Sequence, residues 1–426
     1  MQQFLEDEFW APLAWVGDFS LPVILKAGLN IERIVIEPAD RKMLSQFKNE
    51  RLIFFTNHPT IGEPIIAYHV ANLMHSRFKY MTTRKVFDFY GGIVGDVIRK
   101  VGAFSIIPGI ADRDSMRYAR SVLAEKAGKL VLFPEGEPMC GENDNLMPLQ
   151  AGVVKLGFSA LEDIYKKEEA GDIMILPGFI KYVINSSQVE IEKSIYVSLN
   201  KIEKKLGLKP EGRNLLRRFL YIARILLEIN EKEYGIEVSV NSDYDYRIGR
   251  VRHAILDSVA EKLQVQKYDT NADSIQKLRH LSMVIELHEL GLEIPGLVKI
   301  PQSTLKVAAR ECIKASDFIV MKRDYLMEKP TPERFFEWLQ RFEYMVLGRL
   351  PNALGGEPSH LPRDAHVRFA KPFYLSEYYH QFKENRRKGL KLLLDRIETD
   401  LKNLLEVVQP LARIMVSPNE IGPDAK

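Results

Sequence analysis

Short apolar runs and helix-period segments alternate over roughly the first 185 residues, and this alternation constrains the fold more than any other feature. Several runs are almost continuously apolar, as in strands that are covered on both faces of a sheet. The segments between them, residues 63–76, 86–100, 114–127 and 149–162, have helical spacing. Strands that alternate with single helices predict an α/β fold with an open, mostly parallel sheet flanked by helices. The strand candidates are IERIVIE, RLIFFTN, FKYMTT, GAFSII, KLVLFPEG and IMILPGFIKYV.

The pattern changes at about residue 186. Helical spacing with few strand candidates extends from there to about residue 350, as in LNKIEKKLGLKPEGRNLLRRFLYIARILLEINEKEYG. Residues 366–379, HVRFAKPFYLSEYY, then predict one further strand and a turn, and residues 380–408 a long amphipathic helix. The chain therefore divides into an α/β part at residues 1–185 and a helical accessory or insertion region at residues 186–362.

Composition places the chain among ordinary globular proteins. Of its 426 residues, 46% are hydrophobic and 27% are charged, which is enough apolar sequence for one large core or two ordinary ones. The formal net charge of +3 gives no argument for nucleic acid, and we predict no such partner. Cys140 and Cys312 lie far apart, which excludes a disulfide framework and is typical of a reducing compartment. We predict no metal site.

Membrane contact is expected at the surface of a bilayer and not across it. No stretch of about 18–20 uninterrupted apolar residues occurs. The nearest, residues 9–31, is interrupted by Asp18, Pro22 and Lys26, and it lacks the features of a secretory signal. The predicted location is the cytoplasm, with two segments that suit a membrane interface: the aromatic residues within 9–31 and the arginine-rich amphipathic helix 213–229. Packing on the protein core is the alternative for 213–229.

The sequence TNHPTIGEP places a histidine and an acid at the exit of one strand candidate. Pro59 disfavours the α region for His58, which is therefore extended, and Pro64 suits the first turn of a following helix. In parallel sheets, functional side chains usually lie in the loops beyond the carboxyl ends of the strands. Thr60 and Glu63 also have the spacing of a capping box, in which Glu63 would only tie back the helix start.

Three further strand exits carry GAFSIIPG at 102–109, LFPEGEP at 132–138 and ILPGFIKY at 175–182. A histidine, four intervening residues and an acid, followed by these blocks in this order, resembles the glycerophospholipid acyltransferase superfamily. That superfamily includes lysophosphatidate and glycerol-3-phosphate acyltransferases, and the resemblance covers roughly residues 30–185. No GxSxG nucleophile elbow, Walker loop or GxGxxG fingerprint competes with it.

The resemblance implies a role for each matched residue. His58 would be the general base that takes the proton of an acceptor hydroxyl, a step that suits an imidazole because it titrates near neutrality. The alkoxide would attack the thioester of acyl-CoA or acyl-carrier protein directly, with no other cofactor. Glu63 would hold one ring nitrogen protonated and offset the positive charge that develops. Glu135 and Gly136 match the block that binds the glycerol and phosphate region of the acceptor, and Pro177 matches the block near the acyl or acceptor pocket.

Three positions depart from the family pattern. Glu63 stands where the family usually has Asp, which is one methylene shorter. Glu137 stands where a small hydroxyl residue is usual, and Pro108 lies near the position of an arginine that binds phosphate. The basic side chains that could replace this arginine are Arg84, Lys85, Arg113 and Arg117. Each has the alternative of being a solvated surface charge.

The family also suggests how the chain ends. In its members the strand after the fourth block is usually followed by one that reads like VRFAKPF, and then by a closing helix. We therefore expect residues 363–408 to return to the core, residues 186–362 to be an insertion and residues 409–426 to form a tail. A separate C-terminal domain is the alternative.

The predicted function is transfer of a fatty acyl group from acyl-CoA or acyl-carrier protein to a glycerolipid hydroxyl, with lysophosphatidate as the first acceptor. The alternatives are acylation of a lipid acceptor without phosphate, and a lipid- or acyl-binding homologue without catalysis. A lipid acceptor implies peripheral or monotopic membrane contact. The basic helical region also suits the docking of an acidic acyl-carrier protein.

Overall fold

The structure, a computed structural model, describes residues 4–110, 112–136, 142–167, 170–210, 212–238, 243–292, 297–350 and 359–417. Glu137 and Cys140 lie outside these ranges. The chain divides into two compact units, the first formed by Met1–Ser186 with Ala353–Ala412 and the second by Ser187–Asn352 with Arg413–Lys426.

Within the described residues, eight strands form a single sheet in the first unit. They are β1 (Ile31–Ile36), β2 (Leu52–Thr56), β3 (Lys79–Thr83), β4 (Ala103–Ile106), β5 (Lys129–Leu132), β6 (Met174–Ile184), β7 (Arg363–Phe369) and β8 (Phe373–Tyr374). The order across the sheet is β1-β7-β6-β2-β5-β3-β4, and β8 pairs with β6. The run from β6 to β4 is parallel, whereas β7 is parallel to β1 and antiparallel to β6. The predicted fold class, an α/β protein with an open and mostly parallel sheet, is confirmed.

Strand β2 is central because its sequence is apolar on both faces. All five of its residues are buried. Leu52 and Phe54 pack into the hydrophobic cluster on one side of the sheet, and Ile53 and Phe55 into the cluster on the other. Because successive strand residues point to opposite faces, an unbroken apolar run must lie between two covering layers. The carboxyl end of β2 consequently lies at the middle of the sheet edge.

Helices cover the sheet and form the second unit. In chain order they are α1 (Ala11–Val23), α2 (Pro38–Leu44), α3 (Glu63–Leu73), α4 (Ile93–Lys100), α5 (Arg113–Ala124), α6 (Ala151–Tyr165), α7 (Gln188–Leu206), α8 (Leu215–Glu233), α9 (Tyr244–Lys262), α10 (Ser274–Glu289), α11 (Gln302–Val320), α12 (Arg323–Glu328), α13 (Pro332–Leu347), α14 (Tyr379–Glu384) and α15 (Arg386–Val408). The second unit holds α7 to α13, and the others belong to the first.

Two of the helices expected from the sequence are interrupted. In place of one helix at 86–100, a 3₁₀ segment at Arg84–Gly92 precedes α4, with Tyr90, Gly91 and Gly92 all at positive φ. Two adjacent glycines make this left-handed backbone inexpensive, so the chain turns there before α4 begins. The expected helix at 380–408 is broken at Asn385, whose side chain caps α15 by accepting from the Lys388 N–H at 3.0 Å.

Helix α8 includes most of the arginine-rich segment, one of the two candidates for membrane contact. Its apolar face is buried inside the second unit, where Phe219 packs edge-on against Phe335 with ring centroids 4.9 Å apart. Arg218 is buried as well, and its Nε donates to Glu203 at 2.8 Å. This helix therefore packs on the protein core, as the alternative interpretation of its sequence predicted. Its apolar face is not available to a bilayer.

Among the residues that the structure describes, no helix has both the length and the apolar character required to cross a membrane.

Candidate active site

The loop after β2 starts with a side chain that imitates a strand. The side-chain Oδ1 of Asn57 accepts the backbone N–H of Ile180 at 2.8 Å, and its Nδ2 donates to the carbonyl of the same residue at 2.9 Å. This amide continues the β2–β6 ladder one step beyond Thr56, the last residue of β2. His58, the next residue, is thereby held at the carboxyl edge of the sheet.

His58 and Glu63 form a close pair at this edge. His58 Nδ1 lies 2.8 Å from Glu63 Oε2, and the carboxylate is fully buried while 13% of the imidazole is exposed. Because an ionised carboxylate can only accept a hydrogen bond, Nδ1 carries the proton and Nε2 is the nitrogen with a free lone pair. The pair therefore has the geometry of a general base whose tautomer is fixed by a buried acid.

Several donors keep Glu63 ionised. The backbone N–H of Thr60 donates to Oε2 at 2.9 Å, its hydroxyl donates to Oε1 at 2.8 Å, and the hydroxyl of Tyr182 donates to Oε1 at 2.5 Å. Burial by itself raises the pKa of a carboxyl group, but the hydrogen bonds from His58, Tyr182 and Thr60 outweigh it and lower the pKa of Glu63. Ionised Glu63 thus stabilises the fold above the ordinary glutamate pKa, and this contribution is lost as the pH falls through the lowered pKa.

The capping box expected as an alternative role for Glu63 is only half formed: the carboxylate accepts the Thr60 N–H, but the Thr60 hydroxyl does not accept from the Glu63 N–H. Glu63 is the first residue of α3, and Gly62 occupies the N-cap without a side-chain hydrogen bond. The Thr60 hydroxyl instead accepts from the Gly62 N–H at 3.1 Å and donates to Glu63. The glutamate side chain is one methylene longer than that of an aspartate, and its carboxylate still lies within hydrogen-bond distance of His58.

Glu135 and Gly136 are joined to the histidine loop. Glu135 is buried, and its carboxylate accepts the backbone N–H of His58 at 2.9 Å and that of Met147 at 2.7 Å. Burial raises the pKa of Glu135, although these two backbone donors partly oppose it. Gly136 has φ +91°, and a Cβ there would lie 1.9 Å from Nε2 of Gln150, so the position requires glycine. Glu135 thus holds the backbone of His58 in place, and its role in binding an acceptor stays a prediction.

Pro177, Arg84 and Lys85, three further residues of the predicted site, lie on or after strands β6 and β3. Pro177 is buried inside β6, opposite Phe55 of β2. Arg84 and Lys85 follow β3; Arg84 is buried and its Nη1 lies 2.7 Å from Asp88 Oδ1. The exit of β4 is three strand positions from β2, roughly 14 Å at the usual strand spacing.

Arg113 and Arg117 lie on α5, beyond β4, and both are exposed. Arg117 Nη1 is 3.1 Å from Asp114 Oδ1, and 77% of its side chain is exposed. Pro108 lies in the loop before this helix. The structure therefore brings together His58, Glu63, Glu135 and Gly136, and it leaves the four basic candidates on neighbouring elements.

Sequence reasoning missed some side chains that complete the site. Phe133 stacks on the imidazole of His58, with ring centroids 4.1 Å apart, and its place directly before PEG was a usable local signal. Tyr182 shares a face of β6 with Ile180, but nothing in the sequence indicates that it meets Glu63. Asn143, which pairs with both backbone groups of Tyr182, had no signal at all.

A cleft of about 680 Å³ lies at the opposite edge of the sheet, near the amino ends of β2, β5 and β6. Its lining includes Glu50, Arg51, Lys126, Asp172 and Tyr374. None of the predicted site residues contributes to it, and parallel sheets place their chemistry at the other edge.

The geometry defines a site for activating a hydroxyl group: an imidazole with one nitrogen fixed by a buried carboxylate and the other free to take a proton. In agreement, residues 36–181 match the family model described as Acyltransferase. This part of the chain is an acyltransferase domain of the glycerophospholipid acyltransferase family, which supports acyl transfer to a lipid. No curated protein matches the chain.

Proposed function

We propose that this protein transfers a fatty acyl group from acyl-CoA or acyl-carrier protein to the hydroxyl of a glycerolipid, with lysophosphatidate converted to phosphatidate. The observation that carries the proposal is the 2.8 Å contact between His58 Nδ1 and the buried carboxylate of Glu63. The family match at residues 36–181 supports the reaction class.

The reaction needs a single base. Nε2 of His58 takes the proton of the acceptor hydroxyl as its oxygen attacks the thioester carbonyl. The carbon–sulfur bond then breaks, and the departing thiolate takes the proton from the imidazolium. Glu63 offsets the charge on the imidazolium between these steps, since it stays ionised and accepts the hydrogen bond from Nδ1–H throughout. All atoms are accounted for without an acyl-enzyme.

A phosphate on the acceptor requires a cation, because an unpaired dianion is costly to remove from water. Arg84 and Arg117 have acidic partners at 2.7 and 3.1 Å, and Arg117 and Arg113 stand on the first turns of α5. The N-terminus of this twelve-residue helix faces the same edge as His58, which adds a favourable field for an anion. We therefore retain Arg113 and Arg117 as the side chains that replace the family arginine.

Replacing Arg113 or Arg117 by Ala is expected to raise the KM for lysophosphatidate about tenfold, because a charge-assisted hydrogen bond to the phosphate is lost. The KM for a monoacylglycerol of the same chain length should not change. Steady-state kinetics with both acceptors, and with both donor types, measures this. Arg386→Ala is the matched control, since that arginine is exposed to 74%, close to the 77% of Arg117. The phosphate site is excluded if the protein prefers the neutral acceptor and if Ala at each of the four basic candidates, Arg84, Lys85, Arg113 and Arg117, leaves the KM for lysophosphatidate unchanged.

Helix α1 is the surface that we propose for contact with the lipid bilayer. Ala14 and Leu21 are buried against the rest of the unit, whereas Trp15, Phe19 and Val23 repeat every four residues and are exposed, Phe19 to 91%. Asp18, the charged residue within the helix, is turned away and accepts from the Tyr68 hydroxyl at 2.7 Å. A neutral stripe with Trp and Phe is typical of helices that lie in a membrane interface.

Contact through this stripe is expected to persist at high salt, because its exposed side chains carry no charge. Phe19→Glu should lower partition to phosphatidylcholine vesicles by roughly 10–100-fold, the cost of removing one buried phenylalanine, and Val16→Glu should lower it less. Val407→Glu is the matched control, since Val407 and Val16 are exposed to 62% and 60%. Co-sedimentation with vesicles at low and high salt decides the matter: equal partition of Phe19→Glu and Val407→Glu would exclude α1 as the contact.

A further inference from the structure

Tyr182, near the end of β6, joins the buried acid of the site from across the sheet. Its side chain is 3% exposed, and its hydroxyl donates to Glu63 Oε1 at 2.5 Å. The other oxygen of the same carboxylate, Oε2, lies 2.8 Å from His58 Nδ1. The two oxygens of Glu63 are thus divided between the tyrosine and the histidine, and the carboxylate cannot rotate without breaking both contacts.

The tyrosine itself is held on several sides. The side chain of Asn143 accepts the backbone N–H of Tyr182 at 2.8 Å and donates to its carbonyl at 2.6 Å. The guanidinium of Arg363, on β7, lies over the phenol ring at 4.1 Å from the centroid. On the loop side, a Cβ at Gly62 would come within 2.8 Å of the hydroxyl, so glycine there leaves the space that the hydroxyl fills. The contacts with Asn143 and Arg363 hold the tyrosine independently of the helix that carries Glu63.

The need for such a contact follows from the burial of Glu63. A carboxylate removed from water loses its hydration, and only hydrogen bonds within the protein can replace it. A glutamate also has one more rotatable bond than an aspartate, so an attachment from outside its own loop, where Thr60 supplies the other donors, helps to keep its carboxylate directed at the imidazole. The sheet supplies this attachment, since β6 lies beside β2.

We infer that Tyr182 is a positioning residue, whose hydroxyl holds Oε1 of Glu63 so that Oε2 stays directed at His58 Nδ1. The inference rests on the proposed role of His58 as general base. It adds a third member to the pair, which acts through Glu63 and does not touch the substrates.

Tyr182→Phe keeps the ring and removes the hydroxyl. We expect kcat to fall about tenfold at neutral pH with the KM of both substrates unchanged, because a hydrogen bond to an ionised group is lost. Burial then raises the pKa of Glu63 with less opposition, so the acid limb of the kcat profile should move to higher pH. A residue that merely supports the fold would lower the melting temperature and leave the pH profile in place.

Tyr234→Phe is the matched control, because its hydroxyl also donates to a carboxylate, that of Glu311, within the second unit. It should leave the acid limb unchanged. Thr60→Val removes another donor to Glu63 Oε1 and should shift the limb in the same direction, which tests the inference even where Tyr182→Phe does not fold.

Two results separate the role of Tyr182 from the role of His58. If His58→Ala abolishes activity while Tyr182→Phe and Thr60→Val keep the wild-type pH profile and kcat, Tyr182 is not a positioning residue. If His58→Ala is as active as the wild type, the proposed function itself is wrong.

Discussion

His58→Ala is expected to reduce the rate of acyl transfer by about 10²–10⁴-fold, the usual contribution of a positioned general base. That range corresponds to roughly 3–5 kcal/mol of transition-state stabilisation. The fold should survive, because Thr60 and Tyr182 still donate to the buried carboxylate of Glu63 once the imidazole is removed. The measurement is acyl transfer from a labelled thioester to lysophosphatidate, together with the melting temperature of each variant.

His380→Ala provides the control for this substitution. His380 also faces a glutamate, with Nδ1 3.7 Å from Glu384 Oε1, but it stands on the surface of α14 and is 79% exposed. It should keep full activity. A folded His58→Ala protein that transfers acyl groups at the rate of His380→Ala would exclude the mechanism.

Lys181→Met is expected to lower the free energy of unfolding by about 3–5 kcal/mol. Lys181 Nζ pairs with Asp144 Oδ1, and the two side chains are 0% and 1% exposed. Removing the lysine takes a cation from beside the buried carboxylate of Asp144, which costs more than the pair itself contributes. Urea denaturation, followed by circular dichroism, measures the change.

Two variants make this result interpretable. Lys181→Met combined with Asp144→Asn removes both charges of the pair and should recover a large part of the loss. Lys402→Met removes a lysine from the exposed pair with Glu398 and should have little effect. If Lys181→Met and Lys402→Met unfold at the same urea concentration, the buried pair does not stabilise the end of β6.

The positions of His58 and Glu63 show which features of the site can be predicted from neighbouring residues in the sequence. A run that is apolar on both faces predicts a covered strand, and Pro59 predicts extended backbone after it, because both are properties of neighbouring residues. These local rules predicted the fold class, which is confirmed, and the residues at the strand exit. The family resemblance added that the acid faces a ring nitrogen, and the structure has the two atoms 2.8 Å apart.

Local rules were wrong where backbone and packing competed with periodicity. The segment 86–100 has helical spacing, yet Gly91 and Gly92 take left-handed backbone and separate a 3₁₀ turn from α4. The spacing of Thr60 and Glu63 predicts a capping box, but only the contact from the Thr60 N–H to Glu63 forms, and the carboxylate also contacts His58 and Tyr182. An amphipathic helix has the same sequence pattern whether a bilayer or a protein covers its apolar face. Only the packing of Phe219 showed that a protein core covers that face in α8.

The sequence by itself determined seven of the eight described strands, the helical character of most segments that follow them and the residues that stand at the sheet edge, since these depend on contacts between near neighbours. Only the tertiary structure decided which side chains complete the site. Tyr182 reaches Glu63 across 119 positions because β6 lies beside β2 in a register that pairs Thr56 with Gly178. Such pairing depends on how distant segments pack into one core. The hydrophobic periodicity of a segment does not indicate which distant residue its side chains will contact.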